Sequence, residues 1–125
     1  MALKIYGQPK SRAVRVIWMA EELGIPYENV PVTMADKAHK QPAYTSINPN
    51  ARLPAIDDDG FRMSESLAIN YYLAKKHGKF LGTIVSTPEE AKKFMAQGFL
   101  FFQAVAELNL MAVGAEHAVA VEIVE

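Results

Sequence analysis

The sequence predicts an α/β domain on a four-stranded mixed sheet, in the order β-α-β-(α)-β-β-α, followed by the start of an all-helical region. Three observations lead there. Residues 48–73, NPNARLPAIDDDGFRMSESLAINYYL, read as strand, tight turn, strand and helix. Residues 2–33 read as a buried strand, an amphipathic helix and a second strand. Thr87-Pro88-Glu89-Glu90 then opens a separate and more apolar helical pattern.

Taken in order, ALKIY at residues 2–6 is a short apolar run suited to a buried strand. Gly7-Gln8-Pro9-Lys10 is turn chemistry, and Ser11 stands at the N-cap position of the helix RAVRVIWMAEELG. Ala13, Val16, Ile17, Ala20 and Leu23 recur at helical spacing, Gly24 ends the helix and Pro26 blocks its continuation. Trp18 reads as a packed side chain on this helix. YENVPVT, residues 27–33, is a second strand whose Pro31 places it at a sheet edge. Residues 34–47 are mixed and polar, a short helix or a loop.

Leu53-Pro54 leads the third strand, where the proline cannot serve a central ladder and its peptide bond is predicted cis. Asp59-Gly60 supplies the turn and Phe61-Arg62-Met63 the return strand. The helix opens on Ser64-Glu65-Ser66 and closes with Lys75, Lys76, His77 and Gly78. Its free N–H groups and positive dipole end suit an anion, while Glu65 can hold a cation. A ligand carrying both an ammonium and a carboxylate fits that pair. Residues 78–86 read as a linker between domains at 1–80 and 87–125. The capping box at Thr87 then starts one long helix, its stripe running from Ala91 through Phe94, Met95, Gly98, Phe101, Phe102 and Val105 to Leu108. The tail GAEHAVAVEIVE fits either helix or strand.

Composition removes several functions. A net charge of −1 offers no surface for nucleic acid or an anionic membrane. There is no cysteine, hence no disulfide framework, thiolate metal site or redox CxxC pair. No apolar run approaches the ~18 residues of a spanning helix, so a cytoplasmic protein is expected. The three histidines lack ligand spacing, and Asp57-Asp58-Asp59-Gly60 lacks the alternation and closing Glu of a calcium loop, so no metal is expected.

The motif N-P-x-x-R-L-P-A-I-x-D-D-G-x-x-x-x-E-S-x-A-I-x-x-Y-L, within a match over residues 3–80, resembles the N-terminal, thioredoxin-like domain of the glutathione transferases. The resemblance implies a protein that binds glutathione as substrate and conjugates its thiolate to a small electrophile, working as a homodimer. It implies that Glu65 takes the γ-glutamyl ammonium and Ser66 its carboxylate. The backbone of Leu53, ahead of Pro54, pairs with the cysteinyl part, and Arg52 lies near the glycyl carboxylate. Lys40 and His39 are within a loop that could reach the same carboxylate. Two hydroxyls compete to stabilise the thiolate: Ser11 at the start of the first helix, which is favoured, and Tyr6 at the end of the first strand. Against these stand plainer roles: an N-cap worth ~1 kcal/mol for Ser11, core packing for Tyr6, and helix capping for Glu65 and Ser66. Family members continue through several more helices that build the electrophile pocket, so this chain looks truncated. A non-catalytic binding or interaction module with the same fold is the alternative.

Overall fold

The computed structural model describes residues 3–104 and Met111. They fall into two units, one ending at Lys79 and one beginning at Phe80.

The first unit contains β1 (Leu3–Tyr6), α1 (Val14–Leu23), β2 (Tyr27–Val30), a 3-10 turn at Ala38–Lys40, and α2 (Pro42–Thr45). It continues with β3 (Ala55–Asp58), β4 (Phe61–Ser64) and α3 (Ser66–Lys76). The sheet order is β2-β1-β3-β4. β1 pairs parallel with β2 and antiparallel with β3, which pairs antiparallel with β4. This is the expected mixed sheet, with β2 at an edge and ending at Val30, just before Pro31. Pro31 has no N–H with which to extend the ladder.

Strand alternation divides the core in two. Leu3 and Ile5 of β1 and Ile56 of β3 pack with Val16 and Ala20 of α1 and Ile69 and Leu73 of α3. The other parity, Tyr6 and Ala55, packs with Val32, Tyr44 and Leu53. Asn70 joins α3 to α1 through its amide, which donates to the Arg15 carbonyl at 3.2 Å.

Two expectations about α1 are corrected. Its first helical residue is Val14, with Ala13 in the cap position, so Ser11 lies in a preceding turn and is not the N-cap. Pro9 and the Gln8 carbonyl, which accepts from Ser11 N–H at 2.9 Å, draw residues 8–11 into that turn first. Trp18 is not packed: it is 67% exposed, its indole N–H donating to Glu22 one turn on at 2.8 Å.

The second unit departs further. Residues 81–85, read as linker, form β5 (Leu81–Val85), followed by α4 (Pro88–Ala96) and β6 (Phe99–Ala104), which runs parallel to β5. The expected long helix therefore ends at Ala96. Thr87 caps it as predicted, accepting from Glu90 N–H at 3.2 Å. Gly98, at φ +95°, turns the chain out of the helix, and the Phe-Leu-Phe-Phe run beyond it favours a pleated strand. Gly82 makes room for Phe101, whose ring a Cβ there would meet at 3.0 Å. Leu81, Val85 and Phe99 are buried, whereas Ile84, Leu100 and Phe101 are exposed. Val105, Leu108 and the tail lie outside the described residues.

Asp58 fastens the β3–β4 hairpin to α3, accepting from Tyr72 Oη at 2.7 Å and Lys76 Nζ at 2.5 Å. Burial pushes its carboxyl up, but the Lys76 and Tyr72 hydrogen bonds outweigh that and hold it below the ordinary carboxylate range. A carboxyl with a lowered folded pKa contributes stability that is complete above its unfolded value, about 3.9, and is lost as pH falls through the folded value. Replacing Asp58 with Asn should cost about 1 kcal/mol at neutral pH, the worth of a charge-assisted surface hydrogen bond. The gap between variant and parent should narrow as pH falls below the unfolded carboxyl value, about 3.9, measured by urea denaturation across pH.

Candidate functional site

One row of paired residues crosses the sheet: Tyr6 opposite Ala55, and Ala55 opposite Ser64. Each is the terminal residue of its strand on that side. The corner after Tyr6, the corner before Ala55 and the corner after Ser64 therefore share one edge of the sheet. Those corners carry Gly7 to Ser11, Leu53-Pro54, and Glu65-Ser66. Five of the seven residues singled out in the sequence, Tyr6, Leu53, Pro54, Glu65 and Ser66, lie at this row or one or two residues from it.

At the first corner Gly7 adopts φ +138°, and a Cβ there would lie 2.6 Å from Ala13 Cβ, 3.5 Å from Ser11 Oγ and 3.9 Å from Leu53 Cδ2. Glycine is thus required both by its dihedral and by the close approach. The same distances bring Ser11 Oγ and the Leu53 side chain to the one face of Gly7 where a Cβ would stand. Ser11 Oγ donates to the Gln8 carbonyl at 2.8 Å and accepts from Ala13 N–H at 3.2 Å. The amides of Val14 and Arg15 are held by the carbonyls of Ser11 and Arg12. The amides of Ala13, Val14 and Arg15 are thus engaged within the turn and the first turn of α1. What remains is a half-buried hydroxyl whose proton can turn from the neutral Gln8 carbonyl toward an anion, a stronger acceptor. Tyr6 instead packs its ring near Tyr44, with centroids 6.2 Å apart.

The second corner is a cis Leu53-Pro54 peptide, as predicted, with Pro54 buried. Two buried side chains position its approach: Tyr44 Oη and Asn48 Nδ2 donate to the Arg52 carbonyl at 2.5 and 2.8 Å. Burial pushes the Tyr44 phenol above its ordinary value, so it remains a neutral donor. The Arg52 side chain is exposed. His39 is buried with its ring against the Thr33 carbonyl, whereas Lys40 is exposed. Tyr44 and Asn48 went unread in the sequence as positioning groups; Asn48 was visible only as the first residue of the motif.

At the third corner Glu65 occupies the N-cap position of α3 at φ +75°, ψ 111°. A non-glycine residue here costs of order 1–3 kcal/mol unless its surroundings impose it. No side chain caps α3, and Ser66 at its first position is 5% exposed. The capping role considered for Glu65 is thus not the one it plays. Its carboxylate is exposed beside an uncapped helix start, so the corner offers an acceptor for a cation next to donors for an anion. Among the described residues no cluster of three or more His, Asp or Glu could hold a metal ion, and no helix is long and apolar enough to cross a membrane.

Known proteins resemble this chain in sequence and fold. A family model described as "Glutathione S-transferase, N-terminal domain" matches residues 1–75. A glutathione S-transferase of Silene vulgaris is 40% identical over 78 residues, covering 62% of this chain and 36% of the relative. The glutathione S-transferase-like protein gedE of Aspergillus terreus is 37% identical over 107 residues, covering 83% of this chain and 46% of its own. Among solved structures, the diazinon-metabolizing glutathione S-transferase of the silkworm Bombyx mori aligns with TM-score 0.58 at 32% identity, over 61% of this chain and 38% of that one. The theta class enzyme of Xanthomonas axonopodis pv. citri, solved with glutathione bound, aligns with TM-score 0.57 at 37% identity, over 62% of this chain and 38% of that one. The chain spans less than half the length of these relatives.

The backbone at Glu65 yields a prediction. Glu65→Gly removes the left-handed strain and no capping bond, so it should raise stability by about 1 kcal/mol, against the loss usual for glycine at a helix boundary. Chemical denaturation of the two proteins measures it; a destabilised variant would show that the dihedral carries no strain.

Proposed function

The chain belongs to the glutathione S-transferase family, and from that premise we propose that it binds glutathione at the three-corner edge and directs the thiolate at a small electrophile. The observation that carries this reading is the row Tyr6–Ala55–Ser64, which sets a hydroxyl, a strand-like peptide edge and a paired cation–anion site on one side of the sheet. Glu65 accepts from the γ-glutamyl ammonium. Ser66 and the first amides of α3 hold the α-carboxylate. The backbone of Leu53 pairs with the cysteinyl unit as an added strand does, and Arg52 lies on the side of the glycyl carboxylate. Ser11 donates its hydroxyl to the sulfur, favouring the thiolate; the thiol proton leaves to solvent. A sulfur lone pair forms the new bond as the electrophile's leaving group departs with its bonding pair or, in an addition, as the π pair moves onto the acceptor and takes a proton from solvent. Tyr6 is the alternative donor, and its ring already packs near Tyr44.

A second reading, a glutathione-binding or interaction module without conjugating activity, is favoured by the strand-helix-strand at residues 81–104, where the resemblance implies helices that shape an electrophile pocket. Both readings place the protein in the cytoplasm. In both it forms a homodimer, for which the exposed Ile84, Leu100 and Phe101 supply apolar surface. Light scattering at micromolar concentration should return twice the 13.8 kDa chain mass; a single-chain mass would remove the dimer from the reading.

Calorimetric titration with glutathione tests the binding. Glu65→Ala should weaken it roughly ten- to a hundredfold, since a charged hydrogen bond contributes ~1.5–3 kcal/mol. Ser11→Ala should lower the thiolate fraction of bound glutathione more than Tyr6→Phe does. The reverse order would make Tyr6 the donor, and no binding at millimolar glutathione would favour the interaction module.

A further inference from the structure

Asn29 lies on the edge strand β2, opposite Ile5, and takes part in none of the roles above. Its side-chain amide donates to two carbonyls at the end of β1, those of Ile5 and Gly7, each at 3.1 Å. An Asn amide carries two N–H donors, so both bonds form together. Its neighbour Val30 accepts from Gly7 N–H at 3.0 Å. Both backbone polar groups of Gly7 are therefore held by two consecutive residues of β2.

Gly7 is where this grip matters. Ser11 Oγ and the Leu53 side chain both close on its Cα, with Ala13 so near that not even a Cβ fits. A rotation of the Gly7 peptide must therefore move the Ser11 turn, the Leu53 side chain, or both. The hydrogen bonds of Ser11 go to Gln8, Ala13 and Val14, in its own turn and the start of α1, and these fix the hydroxyl relative to the turn but not the turn relative to the sheet.

We propose that Asn29 is a positioning residue, fixing the Gly7 turn to β2 so that the Ser11 hydroxyl is held at the distance from Leu53 that a bound sulfur requires. The inference rests on the glutathione-binding reading. Asn29 is largely exposed, so its replacement opens no cavity, and the groups assigned to the γ-glutamyl end are on α3, away from β2. Loss of Asn29 should therefore disturb the thiol and spare affinity. Asp in its place should be worse than Ala, because a carboxylate would face two carbonyl oxygens without a proton to donate.

The experiment uses the full chain with reduced glutathione, titrating the bound thiol by its thiolate absorbance and measuring affinity by calorimetry. In Asn29→Ala the affinity should stay within about threefold of the parent. The thiol pKa should move up toward the ordinary value near 8.5, and further in Asn29→Asp. An unchanged thiol pKa in both variants overturns the proposal, as does an affinity loss as large as that of Glu65→Ala. If the parent binds no glutathione, the functional reading falls by itself, and amide exchange decides the positioning claim. Faster exchange at Ala13 with Ile69 unchanged in Asn29→Ala supports it; no change at Ala13, or equal acceleration at both, overturns it.

Discussion

Everything placed at the candidate site depends on strand register. The pairing of Ala55 with Tyr6 on one side and Ser64 on the other aligns three strand ends. A slip of one residue in either ladder would send Ile56 out of the core with Ile5 and Ile69, and would carry a corner off the edge. Core and site are thus enforced together. Burial of Ile56, at 0% exposure, fixes the register, and the register fixes where Leu53 and Glu65 emerge. The hydrophobic term is large and non-directional, about 1.5–3 kcal/mol for a buried Ile. The pleat turns it into positional precision.

Local polar groups then refine what the sheet delivers. Tyr44 and Asn48 converge on one carbonyl, Arg52, just ahead of the cis proline. Asn29 and Val30 hold Gly7. In both cases groups from another part of the chain satisfy backbone polar groups at a corner, as buried or turning backbone requires. The third corner works differently, since Glu65 sits at a left-handed dihedral with no capping bond. Two corners are restrained by hydrogen bonds, and one by the geometry of a strand running directly into a helix.

The sequence was most readable where periodicity, turn chemistry and caps agreed. From Leu3 to Lys76 alternation and helical spacing agree with the ladder and helices found, and Asp59-Gly60 marked the hairpin. Reading failed where one pattern served two structures. Phe94, Phe101 and Phe102 fit a helical stripe, yet a run of four apolar residues such as that opening Phe99–Ala104 is equally a strand, and only Gly98 separates the two. The β-branched stretch of Leu81–Val85 passed for a linker because its parallel partner lies beyond a helix. Ser11, Leu53 and Glu65 were legible because their residue types and spacing mark corners. Asn29 was not, because its bonds span 22 and 24 residues and leave no local trace.

Trp18 has a practical consequence. It is the sole tryptophan of the chain, it sits on the outer face of α1, and its indole N–H is engaged with Glu22 rather than with any distant element. A ring this exposed is expected to emit as a wet indole, so unfolding, which exposes it little further, should change the emission only slightly. Anything that settles on the α1 face changes it a great deal, by drying the ring. The molecule thus carries an optical reporter that is nearly blind to its own melting and sensitive to being covered.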